Sequence, residues 1–282
     1  MGDPRGRRQP AGRSRRRAAL VATAAALTIS LLAAACSSGP GSGQATGGTA
    51  QAPLPQPSTR CGPPEVRAQV LRFQASDGVR IDGAMVGSGP AGVVLAHQSN
   101  SDLCGFWPYA VFLSQQGLRV LDIDLRCSGS SDCPDAEAAG RVANDVAGAA
   151  TELRRQGAGS VALVGASLGG MASLLAGAAA QPPVDAVVSL SGPQRFNDLD
   201  ATSALARLTR PVLFVIARDD PYVTVDEVRS QYRATRSADK RIMVLGAPYT
   251  GSHGWDLLTD GKGGWTPIAH QVAGFVQDHG KG

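Results

Sequence analysis

The sequence predicts an α/β fold: a mostly parallel central sheet with helices on both faces, opened by an antiparallel hairpin. Three observations carry that expectation. Short runs at 93–96, 119–125, 161–164, 184–190, 211–217 and 241–245 are largely apolar rather than alternating, as strands buried on both faces are. Segments with apolar residues at helical spacing lie between them. Two further runs, 68–75 and 79–86, flank Ser76-Asp77-Gly78, a turn signal between strands.

In chain order, the hairpin leads to a short strand at 93–96. A helix at 109–116 follows and stops at Gly117, a residue type that commonly closes helices. Strand 119–125 precedes a helix at 138–155, where apolar and alanine positions recur at helical spacing. Strand 161–164 runs into a helix that begins near Ser167 and reaches about Ala180. Strands 184–190 and 211–217, helix 225–235, strand 241–245 and a closing helix at 267–279 complete the series.

Residues 1–35 stand outside this pattern. Arg5 to Arg17 is a basic stretch with seven arginines, and 18–35 is uncharged and rich in Ala and Leu. That is the build of an export signal, with twin-arginine export an option through Ser14-Arg15-Arg16-Arg17. The small residues Ala33-Ala34-Ala35 stand directly before Cys36, which resembles the lipobox of bacterial lipoproteins. The resemblance implies that Cys36 becomes a lipidated N-terminus and anchors the chain to a membrane. Ordinary signal cleavage nearby is the alternative. Residues 36–60 are rich in Gly, Ser, Pro, Gln and Thr, too poor in large apolar groups to offset chain entropy, and read as a flexible tether. The folded domain is expected at 61–282, long enough for one sizeable core.

The basic balance belongs to the leader. The chain holds 27 Lys+Arg and 23 Asp+Glu, but residues 36–282 hold 20 and 22. That composition gives no support for nucleic-acid binding. Cys61, Cys104, Cys127 and Cys133 remain after Cys36, an even count that favours two disulfides in an exported chain. Three connectivities are open; Cys127–Cys133 with Cys61–Cys104 is preferred, because the first closes a short loop. No pair has C-x-x-C spacing and no histidine is near in sequence, so no metal site is expected.

The chemistry concentrates at Gly165-Ala166-Ser167-Leu168-Gly169, between an apolar run and a small-residue run. A tight strand-to-helix turn needs small residues and lifts the serine clear of the sheet. A serine hydroxyl attacks only when a base takes its proton and an acid orients the base. Asp219 and Asp220 follow strand 211–217, and His253 lies in a glycine-rich loop after strand 241–245. The other histidines fit less well: His270 and His279 lie on the closing helix, and His97 sits at a strand end where it shapes a loop.

From residue 68 onward the chain resembles the α/β-hydrolase family. The order Ser167, Asp, His253 is that family's order. Leu95-Ala96-His97-Gln98-Ser99 is similar to its His-Gly segment, with Gln98 where glycine is usual. Asp122 to Ser131 is similar to its Asp-x-Arg-Gly-x-Gly-x-Ser turn, with Cys127 in place of one glycine. The family's Gly-x-x-Asp-x-x-Val spacing aligns Asp220, leaving Asp219 as the alternative acid. The resemblance implies an oxyanion hole from the Leu168 amide and one donor at Ser99 or Gln98. It implies no metal or organic cofactor. Members of this fold often insert a cap where 191–210 stands; that gap fits a short helix at 199–208 and little or no cap domain. The nearest comparison is to dienelactone hydrolases and small esterases, and Ser167 in place of a cysteine favours serine-esterase chemistry.

The expectation is therefore a carboxylic-ester hydrolase using Ser167, Asp220 and His253. Its partners would be a small-molecule or lipid ester and a membrane reached through Cys36. An acyltransferase with the same residues and a non-catalytic binding lipoprotein are the alternatives. Among aromatic residues near these loops, Phe106, Trp107, Tyr222 and Trp255, core packing is the first expectation and pocket lining by Trp107 or Trp255 the second.

Overall fold

The computed structural model describes residues 54–135 and 137–281. The leader, Cys36 and most of the tether lie outside the described residues.

Eight strands form one sheet. The order is β1 (Gln69–Gln74), β2 (Arg80–Val86), β4 (Arg119–Ile123), β3 (Ala91–Ala96), β5 (Ser160–Ala166), β6 (Ala186–Leu190), β9 (Val212–Ala217) and β10 (Lys240–Leu245). β1 pairs antiparallel with β2 and β2 antiparallel with β4; every other pair in the sheet is parallel. The hairpin and the mostly parallel sheet are thus as the sequence predicts. The unbroken apolar runs have their physical cause here: β5, β6 and β9 are buried along their whole length, so both faces need apolar side chains.

Helices cover both faces. One apolar core joins the sheet to α3 (Val142–Arg155), α4 (Leu168–Ala179), α5 (Thr202–Leu205) and α6 (Val225–Ala234). The other joins it to α2 (Trp107–Gln115) and α7 (Pro267–His279). α7 illustrates how sequence sets the packing. Thr266 caps its start, Pro267 occupies a first-turn position that needs no N–H donor, and Ile268, Ala269, Val272 and Val276 form its buried stripe. The Tyr109 hydroxyl donates to the Ala269 carbonyl at 2.8 Å and ties α2 to α7.

The segment between β6 and β9 departs from the single helix expected at 199–208. A small hairpin, β7 (Arg195–Phe196) with β8 (Leu199–Asp200), precedes the one-turn α5. Asn197 at φ +49° makes that tight turn feasible, and the Arg195–Asp200 ion pair closes it at 2.9 Å. The segment remains too small to form a cap.

Both disulfides are present: Cys61–Cys104 and Cys127–Cys133. The first spans 43 positions and fastens the residues after α1 (Pro57–Arg60) to the loop between β3 and α2. Beside it the Arg60 guanidinium donates to both oxygens of the buried Asp124 carboxylate, at 2.6 and 2.7 Å. Residues at the end of the predicted tether are thus packed on the domain. Chain entropy alone gives such a crosslink about 4 kcal/mol. Replacing Cys61 and Cys104 together by serine is expected to lower stability by at least half of that, read by urea unfolding. A change under about 0.5 kcal/mol would contradict the assignment.

Candidate active site

The parallel strands point their C-terminal ends to one edge, and the order reverses between β3 and β5. Chain connections leave in opposite directions there and open a crevice, where open α/β sheets bind ligands. The loops after β3, β5, β9 and β10 carry His97 to Asn100, Ser167, Asp220 and His253 respectively.

Ser167 stands alone between β5 and α4 with φ +49° and ψ −115°, a conformation that costs a non-glycine residue of order 1–3 kcal/mol. Its neighbours hold it there. A Cβ on Gly165 would fall into the Gly169 carbonyl, and one on Gly169 into the Ala96 carbonyl. The turn therefore closes only with glycine at both positions. The Ser167 amide donates to Leu190 O at 2.8 Å, and its carbonyl accepts the first helical bond, from Met171 N at 3.0 Å. Leu168 opens α4, where the first amides have no partner within the helix.

Asp220 and His253 meet across 33 positions. The His253 Nδ1 lies 2.9 Å from both carboxylate oxygens of Asp220, whose side chain is fully buried. Asp220 Oδ1 also accepts the amides of Tyr222, at 2.9 Å, and Val223, at 3.0 Å. Burial pushes the carboxyl up, but His253, the nearby Ser191 hydroxyl and these amides outweigh it and hold Asp220 below the usual carboxylate range. An ionised Asp220 can only accept, so Nδ1 carries a ring proton and Nε2 is the nitrogen left for proton transfer. Asp219 is exposed beside it. The Tyr222 ring stands edge-on to the His253 ring at 4.8 Å.

A pH test follows. The folded pKa of Asp220 is the depressed one, so its stabilising effect is present above the unfolded value of about 3.9 and is lost as pH falls through the folded value. Asp220→Asn is expected to flatten the loss of stability from about pH 5 to about pH 2 in urea unfolding. An unchanged acid slope would contradict the depressed value.

The loop after β3 is fixed from beneath by His97, which is buried. The Leu125 amide donates to its Nε2 at 3.0 Å, so Nδ1 carries the proton and donates to Gln98 O at 2.7 Å. Burial lowers the pKa of this ring, in keeping with its neutral form. The turn at 124–131 is the anchor. Asp124 Oδ1 accepts the Leu103 amide at 2.9 Å, and Arg126 bridges Asp77 and the buried Asp145. Gly129, at φ +52°, leaves the space that the Asp124 carboxylate fills.

Ser167 and His253 line one cavity of about 530 Å³. Gln98, Ser99 and Asn100 form its polar wall. Pro193, Phe196, Tyr222 and Val223 form the apolar one. Of the aromatic residues considered from sequence, Phe106 and Trp107 are fully buried core, with the Trp107 indole donating to Pro64 O at 3.1 Å. Trp255 packs edge-on against Phe106 and lies across Gly105. Tyr222 is the cavity residue, 79% exposed at the rim. Sequence reasoning missed Asn100, Pro193 and Phe196; only their nearness to strand ends could have signalled them. His270 is exposed against Phe112, and His279 pairs with Asp239 at 3.3 Å; neither lines this cavity. Among the described residues, no group of three His, Cys, Asp or Glu side chains is placed to hold a metal ion.

A family model described as alpha/beta hydrolase fold matches residues 92–203. An esterase of Pyrococcus furiosus superposes with a TM-score of 0.66 at 15% identity, covering 79% of this chain and 94% of that one. The chain has the α/β-hydrolase fold. An enol-lactonase from Burkholderia xenovorans shares the fold with a TM-score of 0.61 at 15% identity, over 73% of this chain and 99% of that one. A dienelactone hydrolase from Anabaena variabilis does so at 0.58 and 24%, over 75% and 98%. No curated protein matches the chain in sequence. Within the α/β-hydrolase fold, Ser167 sits at the turn after the central strand β5, and among the described residues the short β7–β8 segment puts no cap over its cavity.

Proposed function

We propose that this chain is a serine hydrolase that cleaves carboxylic esters through an acyl-enzyme. The observation that carries the reading is the His253–Asp220 bond behind a cavity that His253 and Ser167 both line. In this mechanism His253 Nε2 takes the Ser167 hydroxyl proton as Oγ attacks the ester carbonyl carbon. The Leu168 and Ser99 amides hold the resulting oxyanion; each such donor is worth about 3–4 kcal/mol. Collapse expels the alcohol, which takes the proton from His253. Water then repeats the sequence, releasing the acid and restoring Ser167. Asp220 fixes the ring's tautomer and stabilises its transient charge. No step draws on a metal or organic cofactor.

The uncapped cavity supports short or compact acyl groups. The test is hydrolysis of a chain-length series of p-nitrophenyl esters by the full-length protein. Turnover is expected to peak on short chains. A peak on long chains would contradict the compact-substrate reading, and no turnover would contradict the esterase reading.

The same reading places the protein outside the cytoplasm on a lipid attached to Cys36, with the residues between Cys36 and α1 as its tether. Two disulfides support an oxidising compartment. No described helix is long and apolar enough to cross a membrane. Cys36→Ala is expected to move the protein from the membrane fraction to the soluble fraction. Retention on the membrane would overturn lipid anchoring there.

A further inference from the structure

Tyr222 is the one exposed large apolar side chain among the described residues, 79% open to solvent. A lone exposed aromatic is ordinary on a protein surface. Tyr222 is set apart by where it stands. Its ring packs at 70° to the His253 ring, 4.8 Å between centroids, and it lines the cavity that Ser167 and His253 also line.

The residue is exposed yet held. Its amide donates to Asp220 Oδ1 at 2.9 Å, and the Val223 amide donates to the same oxygen at 3.0 Å. Val223 is buried in the core, and Thr224 caps α6 by accepting the Glu227 amide at 3.2 Å. Pro221, with its fixed φ, leads in from the other side. The loop thus presents an aromatic ring at the rim of the cavity without covering it. Apolar surface left in water beside a reacting group gains free energy when a ligand covers it.

The reaction says which part of the ligand that is. In ester hydrolysis His253 Nε2 hands its proton to the leaving alcohol, so the alcohol oxygen comes within about 3 Å of that nitrogen. An imidazole is small, so a group bonded to that oxygen starts beside the ring that packs against His253. Resting on the serine-esterase reading above, we propose that Tyr222 is a specificity residue for the leaving group and selects esters of apolar alcohols, whose hydrocarbon lies on its ring.

The experiment measures kcat/KM for two pairs of esters in the full-length protein, Tyr222→Phe and Tyr222→Ala. Butyl acetate and 2-methoxyethyl acetate share an acyl group and a chain length and differ in the polarity of the alcohol. Ethyl acetate and ethyl butyrate share the alcohol and differ in the acyl group. The wild type is expected to prefer butyl acetate to 2-methoxyethyl acetate by about fivefold or more, the size of effect that burying a methylene or two gives. That preference should persist in Tyr222→Phe, which keeps the ring, and fall to near one in Tyr222→Ala. The ratio for the acyl pair should change by less than about twofold in either variant, because the acyl group lies away from the ring. Equal rates on the alcohol pair in the wild type would overturn the inference alone. So would a preference that survives in Tyr222→Ala, or one lost in Tyr222→Phe, which would assign it to the hydroxyl. A shift in the acyl ratio instead of the alcohol ratio would overturn it by placing the ring on the acid side. No turnover of any ester would overturn it together with the esterase reading.

Discussion

Ser167→Ala is expected to lower kcat by about 10⁴ to 10⁶ while leaving the fold intact. The loss is large because, in the proposed mechanism, the Ser167 hydroxyl is the atom that bonds to the acyl group, and no second residue supplies that bond. The fold should survive because the turn is set by backbone packing. Gly165 and Gly169 close it, and the Ser167 amide bonds to Leu190 O in either variant. Among the described residues no hydrogen bond depends on Oγ. Thermal unfolding is expected to shift by no more than a few degrees. Residual turnover above about a thousandth of wild type would place the nucleophile elsewhere.

His253→Ala is expected to cost nearly as much, and the double variant with Ser167→Ala no more than either alone. Groups that act as one unit are removed by the first deletion, so the second adds nothing. Asp220→Asn is expected to lower kcat by about 10⁴ through a different route. An amide at that position can donate to Nδ1, which puts the ring proton on Nε2 and removes the base's lone pair. The Tyr222 and Val223 amides bonded to Oδ1 would hold the new side chain in place and keep the wrong tautomer. Steady-state rates on p-nitrophenyl acetate read all three variants. Independent, additive losses for Ser167 and His253 would contradict a shared proton transfer.

How much of this could be read in advance follows the physics of each element. β5, β6 and β9 were legible because two-sided burial forces an unbroken apolar run. α7 was legible to its ends because Thr266-Pro267 marks a start that few other arrangements tolerate. The short turns at Leu103–Gly105 and Gly254–Leu257, and the β7–β8 hairpin, were not. Each spans too few residues for a period to emerge, and their conformation is set by contacts from other elements, such as Trp255 across Gly105. Ser167, Asp220 and His253 were legible as candidate residues at strand ends, in the order that the resemblance implies. The meeting of Asp220 with His253 depends on the path of residues 246–253, which no local pattern dictates. Asp77 and Arg126 lie on separate turns, and their pairing exists only once the sheet has formed. Cavity walls are the least legible feature, since Phe196 reaches the site from a hairpin that sequence periodicity does not reveal.

The most direct test of the activated serine is labelling of the full-length protein with a fluorophosphonate probe, followed by peptide mapping. The account predicts one adduct per chain, on Ser167, with labelling lost in His253→Ala. No adduct on the folded protein, or an adduct on any other residue, would contradict it.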